Sequence, residues 1–133
     1  MVTLTAPDGS RVEINAADVI RARRTVSGER DDENGNAQTR IDWAITQLVV
    51  ERIDEVAPVI KQALPSFTCL TTTDGSKIWF DALKVSGPLP VTPSQKQNGV
   101  RSSIRLMGYR QYVTETPEEV RAVLRQAGGP PEV

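Results

Sequence analysis

The sequence contains no histidine, and that absence removes a large share of enzyme chemistry at once. Without imidazole there is no Ser-His or Cys-His nucleophile pair, no histidine metal site and none of the commonest general base. Cys69 is the only cysteine, so the chain holds no internal disulfide and cannot build a structural zinc site. Neither G-x-G-x-x-G nor G-x-x-x-x-G-K occurs, which leaves no phosphate-cradling loop. No apolar run nears the roughly 20 residues that cross a bilayer, and Met1-Val2-Thr3-Leu4 lacks the regions of a signal peptide. These absences lead to the expectation of a cytoplasmic protein, off the membrane, in which no cofactor, metal or catalytic residue is assigned.

What is present is an ordinary soluble composition. The chain has 133 residues, 38% hydrophobic and 25% charged, enough for one domain or two very small ones. Net charge is −1, but residues 1–65 carry −3 and residues 66–133 carry +2. Neither half has the basic excess typical of a nucleic-acid binder.

The chain is organised around Asp8-Gly9-Ser10-Arg11-Val12 and its echo, Asp74-Gly75-Ser76-Lys77-Ile78. An Asp-Gly pair between β-prone runs is a hairpin signal. Around the first turn, Val2-Thr-Leu-Thr5 and Arg11-Val-Glu-Ile14 read as strands. Val19–Val26 reads as a third, with Ile20 and Ala22 on one face and Arg21 and Arg23 on the other. Around the second turn, Phe67-Thr-Cys-Leu-Thr71 and Lys77-Ile-Trp-Phe80 are strands, followed by a shortened third at Leu83-Lys-Val85. Residues 27–36 and 87–99 are insertions, polar in the first case and proline-rich in the second.

Residues 39–64 fit one apolar helical face, through Ile41, Ile45, Leu48, Val49, Ile53, Val56 and Ile60. The second half argues against a helix there. Arg101–Met107, Gly108 and Arg110–Thr114 read as strand, turn, strand, and Val49-Val50-Glu51 matches Val113-Thr114-Glu115 at an offset of 64. Residues 39–50 are therefore expected to be mainly strand, with a bend near Thr46-Gln47. Helices begin near Asp54 and at Pro117, the second opened by Thr116 as cap and by Glu118 and Glu119.

Leu4-Thr5, Asp8-Gly9, Val12, Ile14-Asn15-Ala16 and Val19-Ile20 resemble the opening of the small FlbD-type flagellar-operon proteins. Ile104–Gly108, Tyr112–Glu115 and Glu118-Glu119-Val120 are similar to that family's closing strand, turn, strand and helix. The resemblance covers both halves, although neither carries every element, and duplication and long insertions depart from the family. It implies a compact β-rich fold with a terminal helix and no particular activity.

The expected fold is α+β: a tandem duplication of a small β-rich unit, 1–65 and 66–133. Each unit has about four to five antiparallel strands and a C-terminal helix, barrel- or roll-like and packed with pseudo-twofold symmetry. The first functional expectation is a non-enzymatic interaction or adaptor protein that binds a protein partner or itself. Trp43, Trp79, Tyr109 and Tyr112 are its candidate anchors. Half-buried sheet packing would explain the same aromatics. A ligand or enzymatic site between the repeats is one alternative. Nucleic-acid binding through Arg21, Arg23 and Arg24 is another, against a plain reading of those arginines as a solvated face paired with acids.

Three further groups are weighed on chemistry. Cys69, within a strand, suits packing better than reactivity. Asp32 and Asn34 fall on calcium-loop positions, but Arg30 and Ile41 stand where carboxylates are needed, so the stretch reads as a solvated acidic loop. Glu51 and Glu115 are equivalent carboxylates. Each precedes a helix, where it would satisfy free backbone N–H groups, and their equivalence alone does not make an acid-base pair.

Overall fold

A computed structural model describes residues 1–29 and 35–128. It is a mixed α+β structure with antiparallel strands and, among the described residues, three α-helices, divided into two compact units, Met1–Pro65 and Ser66–Val133.

The first unit opens with β1 (Val2–Thr5) paired to β2 (Arg11–Ile14), with Val2 opposite Ile14 and Thr5 opposite Arg11. Alternation sends Val2, Leu4 and Ile14 into the core. Ala6 N–H donates to the Ser10 carbonyl at 2.8 Å, Gly9 N–H to the Ala6 carbonyl at 2.9 Å, and Ser10 N–H to Asp8 Oδ1 at 2.9 Å. Gly9 takes φ +89°, where a side chain would be strained. A 3-10 turn at Ala16–Asp18 follows, capped by Asn15 Oδ1 accepting from Ala17 N–H.

The chain then forms a meander, β3 (Arg21–Arg24), β4 (Thr39–Asp42) and β5 (Thr46–Val49), with β4 between the other two. The strand reading of residues 39–50 prevails over the helical period, and Thr39, Ile41 and Val49 are fully buried. The bend lies at Trp43-Ala44-Ile45, slightly earlier than expected, where Trp43 N–H donates to the Ile45 carbonyl. Helix α1 (Ile53–Ala63) buries Val56, Ala57 and Ile60 and packs against β3.

The second unit begins with β6 (Phe67–Thr71) and β7 (Lys77–Asp81). Their turn has the same bonds: Thr72 N–H to the Ser76 carbonyl at 2.9 Å, Gly75 N–H to the Thr72 carbonyl at 3.0 Å, and Ser76 N–H to Asp74 Oδ1 at 2.9 Å. Of Leu83–Val85, expected as the third strand, only Val85 is strand. Asp81 Oδ1 accepts from Leu83 N–H and folds Ala82–Lys84 into a 3-10 turn, so β8 starts at Val85 and runs to Leu89. The proline-rich stretch is also more ordered than a loop. Thr92 caps the short helix α2 (Pro93–Gln97) by accepting from Gln95 N–H.

Strand β9 (Ser102–Leu106) pairs with β8 on one side and β10 (Tyr109–Val113) on the other. Helix α3 (Pro117–Gln126) starts where the sequence places it: Thr116 Oγ1 accepts from Glu119 N–H, and Glu119 Oε1 accepts from Thr116 N–H. Val120 and Leu124 are its buried residues, and the helix packs on β6 and β8. The sheets are open and no closed barrel forms among the described residues, because β5 and β10 each end their sheet with a single neighbouring strand.

Candidate interaction surfaces

Two of the three arginines of β3, Arg21 and Arg23, are drawn out of solvent and paired with acids. Arg21, expected on an outer face, is buried with Asp42, its Nε donating to Asp42 Oδ2 at 2.8 Å. Asp42 Oδ1 accepts from Arg40 Nε at 3.1 Å and from Thr46 Oγ1 at 3.0 Å. Arg23 and Arg40 sit directly opposite each other across β3 and β4, where like charges repel. Glu29 resolves that conflict. Its carboxylate accepts both Arg23 Nη atoms, at 3.0 and 2.8 Å, and Arg40 Nη1 at 2.7 Å. Arg24 is exposed at the end of β3.

Partial burial opposes ionisation of Glu29, but hydrogen bonds from Arg23, Arg40 and the Val26 N–H outweigh it and lower its pKa to about 2. Because the folded value lies below the ordinary 4.5, this stabilisation is complete above that pH and is lost as pH falls toward 2. Urea midpoints across that window should fall less steeply for Glu29→Gln than for the native chain. An unchanged slope would contradict the assignment.

The aromatic candidates divide. Phe80 is fully buried, while Trp79 on the opposite face of β7 is half-buried and stacks on Phe67 with ring centroids 5.6 Å apart. Trp43 is half-buried at the β4–β5 bend, and its Nε1 is buried without a hydrogen-bond partner. Tyr109 and Tyr112 lie on β10, and Tyr112 is 36% exposed. Cys69 is half-buried on β6. The acidic stretch 31–34 weighed for calcium lies outside the described residues.

The two strand edges share one construction. In β4–β5, Trp43 N–H donates to the Ile45 carbonyl, so residues 45, 47 and 49 direct their backbone groups to β4. The alternate residues, Thr46 and Leu48, direct theirs outward. Gln47 covers part of this edge by donating Nε2 to the Leu48 carbonyl at 2.9 Å. In β9–β10, Met107 and Gly108 have φ +53° and +85°, a two-residue turn of type I′ that makes Leu106 and Tyr109 a hydrogen-bonded pair. Arg110 and Tyr112 therefore direct their backbone groups outward, and Gln111 Nε2 donates to the Tyr112 carbonyl at 3.3 Å. Sequence reasoning overlooked both glutamines, although they share the offset of 64 that relates Val49 to Val113.

Glu51 and Glu115 do not serve the helices that follow them. Glu51 accepts from Thr5 N–H at 3.0 Å and Thr5 Oγ1 at 2.9 Å; Glu115 accepts from Thr71 N–H at 2.9 Å. Just before them, Val50 N–H donates to the Thr5 carbonyl and Thr114 N–H to the Thr71 carbonyl. Each carboxylate thus fastens the end of an edge strand to the first strand of its own unit. A cleft of about 600 Å³ in the first unit is lined by Arg24, Thr25, Val26, Gln38, Arg52, Ile53 and Asp54. These described residues bring both charge signs and an exposed valine to it, and none of them is a nucleophile paired with a base.

These features define an antiparallel α+β protein with two open, similarly built strand edges. No protein-family model, curated protein or solved structure matches the chain. No helix among the described residues is long and apolar enough to cross a membrane.

Proposed function

We propose that the chain is a non-enzymatic interaction protein, built from two copies of one β-rich unit, that docks partners by strand addition at β5 and β10. The observation that carries this reading is the repeated edge: outward backbone groups at Leu48 and Tyr112, each bonded by the preceding glutamine. An open edge adds a partner strand through main-chain hydrogen bonds, and alternate side chains supply selectivity. The glutamine gives each edge a weak internal substitute that a partner's N–H displaces. The copy reading is supported by matching bonds at four places: the Asp-Gly turns, the Asn15 and Asp81 caps, the glutamines and the strand-fastening glutamates.

Crosslinking in native lysate, followed by mass spectrometry, tests the docking mode by comparing the native chain with Leu48→Lys/Tyr112→Lys. Lysine on an edge strand discourages pairing while its stem preserves packing. The native chain should give a recurrent protein or self-crosslink that drops at least tenfold in the variant, with circular dichroism unchanged. The same crosslinks at equal yield in both, or none that recur, would overturn the proposal.

A further inference from the structure

We infer that the β10 edge accepts an acidic, extended peptide strand, an inference that rests on the edge-docking reading above. Arg105 and Arg110 are paired directly across β9 and β10. The Leu106–Tyr109 pair is hydrogen-bonded, so the next row, Arg105 and Arg110, is of the non-hydrogen-bonded kind, in which side chains stand closest. Both arginines are exposed. Two like charges in that position destabilise a sheet.

Among the described residues, nothing acidic offsets them. β8, β9 and β10 contain no aspartate or glutamate, and Arg110 donates Nη1 to the Pro90 carbonyl at 3.0 Å rather than to a carboxylate. No described carboxylate lies within ion-pair distance of either guanidinium. The first unit handles the same row differently. Beside its own bend the row reads Arg21, Asp42 and Thr46, and the aspartate takes up the cationic charge internally. The row in the second unit reads Ser86, Arg105 and Arg110. Among the described residues, no carboxylate stands at this row, which borders an open edge.

A strand added beside β10 pairs with the outward backbone groups of Arg110 and Tyr112. Its residues opposite those two project to the face that carries Arg105, Arg110 and Tyr112. A glutamate or aspartate there meets the guanidiniums, and the half-exposed Tyr112 ring gives the neighbouring side chain an apolar floor. Charge and edge thus select one occupant: an extended segment with carboxylates at alternate positions. A single-stranded nucleic acid would use the arginines but not the edge.

Fluorescence anisotropy of the full chain with labelled (Glu-Thr)5, (Ser-Thr)5 and (Lys-Thr)5 peptides and a thymidine decanucleotide separates these cases. The acidic peptide should bind at least tenfold tighter than the other three probes. That advantage should vanish in Arg105→Gln/Arg110→Gln, and N-methylation of alternate peptide residues should abolish binding. If (Ser-Thr)5 binds equally and remains sensitive to N-methylation, the acidic preference is overturned and edge docking stands. Tighter binding of the decanucleotide, or indifference to N-methylation, overturns the strand-addition inference. Failure of every peptide to bind overturns it as well.

Discussion

Asp42→Ala should destabilise the chain by about 3–5 kcal/mol, the usual range for removing one partner of a buried ion pair. The side chains of Arg21 and Asp42 are only 6% and 3% exposed, and their contact is 2.8 Å. The carboxylate also accepts from Arg40 and Thr46, so alanine breaks bonds to three side chains and leaves the cationic charge of the β3–β4 face in excess. A loss of that size is a large part of the roughly 5–15 kcal/mol that holds a domain folded. The pair itself need not be worth that much. Arg21→Met/Asp42→Leu, which removes both charges and keeps apolar volume, should lose less than the single variant, because Glu29 still answers Arg40. Urea unfolding at neutral pH measures both. Additive losses in the double variant would contradict the picture of one coupled network.

Gly87→Ala is expected to cost about 2–4 kcal/mol, by combining backbone strain with overpacking. Gly87 takes φ +148° inside β8, where the register with β9 shifts between Ser86 and Leu89. A Cβ there would lie 3.1 Å from Ile104 Cγ2, 3.1 Å from the Ser103 carbonyl oxygen and 3.2 Å from Ile104 Cα. Two of those atoms are backbone in the central strand of the sheet, which cannot turn aside as a side-chain tip does. Gly28→Ala is the control. Nothing lies within 4 Å of its Cβ position and its φ is ordinary, so its effect should stay within about 0.5 kcal/mol. Equal effects at the two positions would mean that close approach is not what requires Gly87.

What the sequence revealed is what neighbouring residues decide among themselves. The Asp8-Gly9 and Asp74-Gly75 turns close through bonds that span a few residues, and Thr116 and Glu119 cap α3 across three. Those elements were legible, as was the strand character of residues 39–50 once the two halves were compared. The Ala82–Lys84 turn was missed although its Asp81 cap is local, because Leu83 and Val85 carried the strand pattern. The surfaces depend on longer reach. Arg21 meets an aspartate 21 residues away, and Glu51 meets a threonine 46 residues away, so neither pairing has a local signature. Alternation along β3 correctly separates Arg21 from Ala22, yet it cannot say that the arginine face is covered. Likewise, Gln47 and Gln111 look like ordinary polar strand residues until the pairing shows which carbonyls face outward.

We propose that the working surfaces are the edges of β5 and β10. Amide hydrogen exchange resolved by residue, on the full chain free and bound to the partner that crosslinking recovers, tests it most directly. Thr46, Leu48, Arg110 or Tyr112 should gain protection on binding, at one edge or both. Protection gained instead around Val26, Gln38 and Ile53, with those four amides unchanged, would place the partner in the cleft and contradict it.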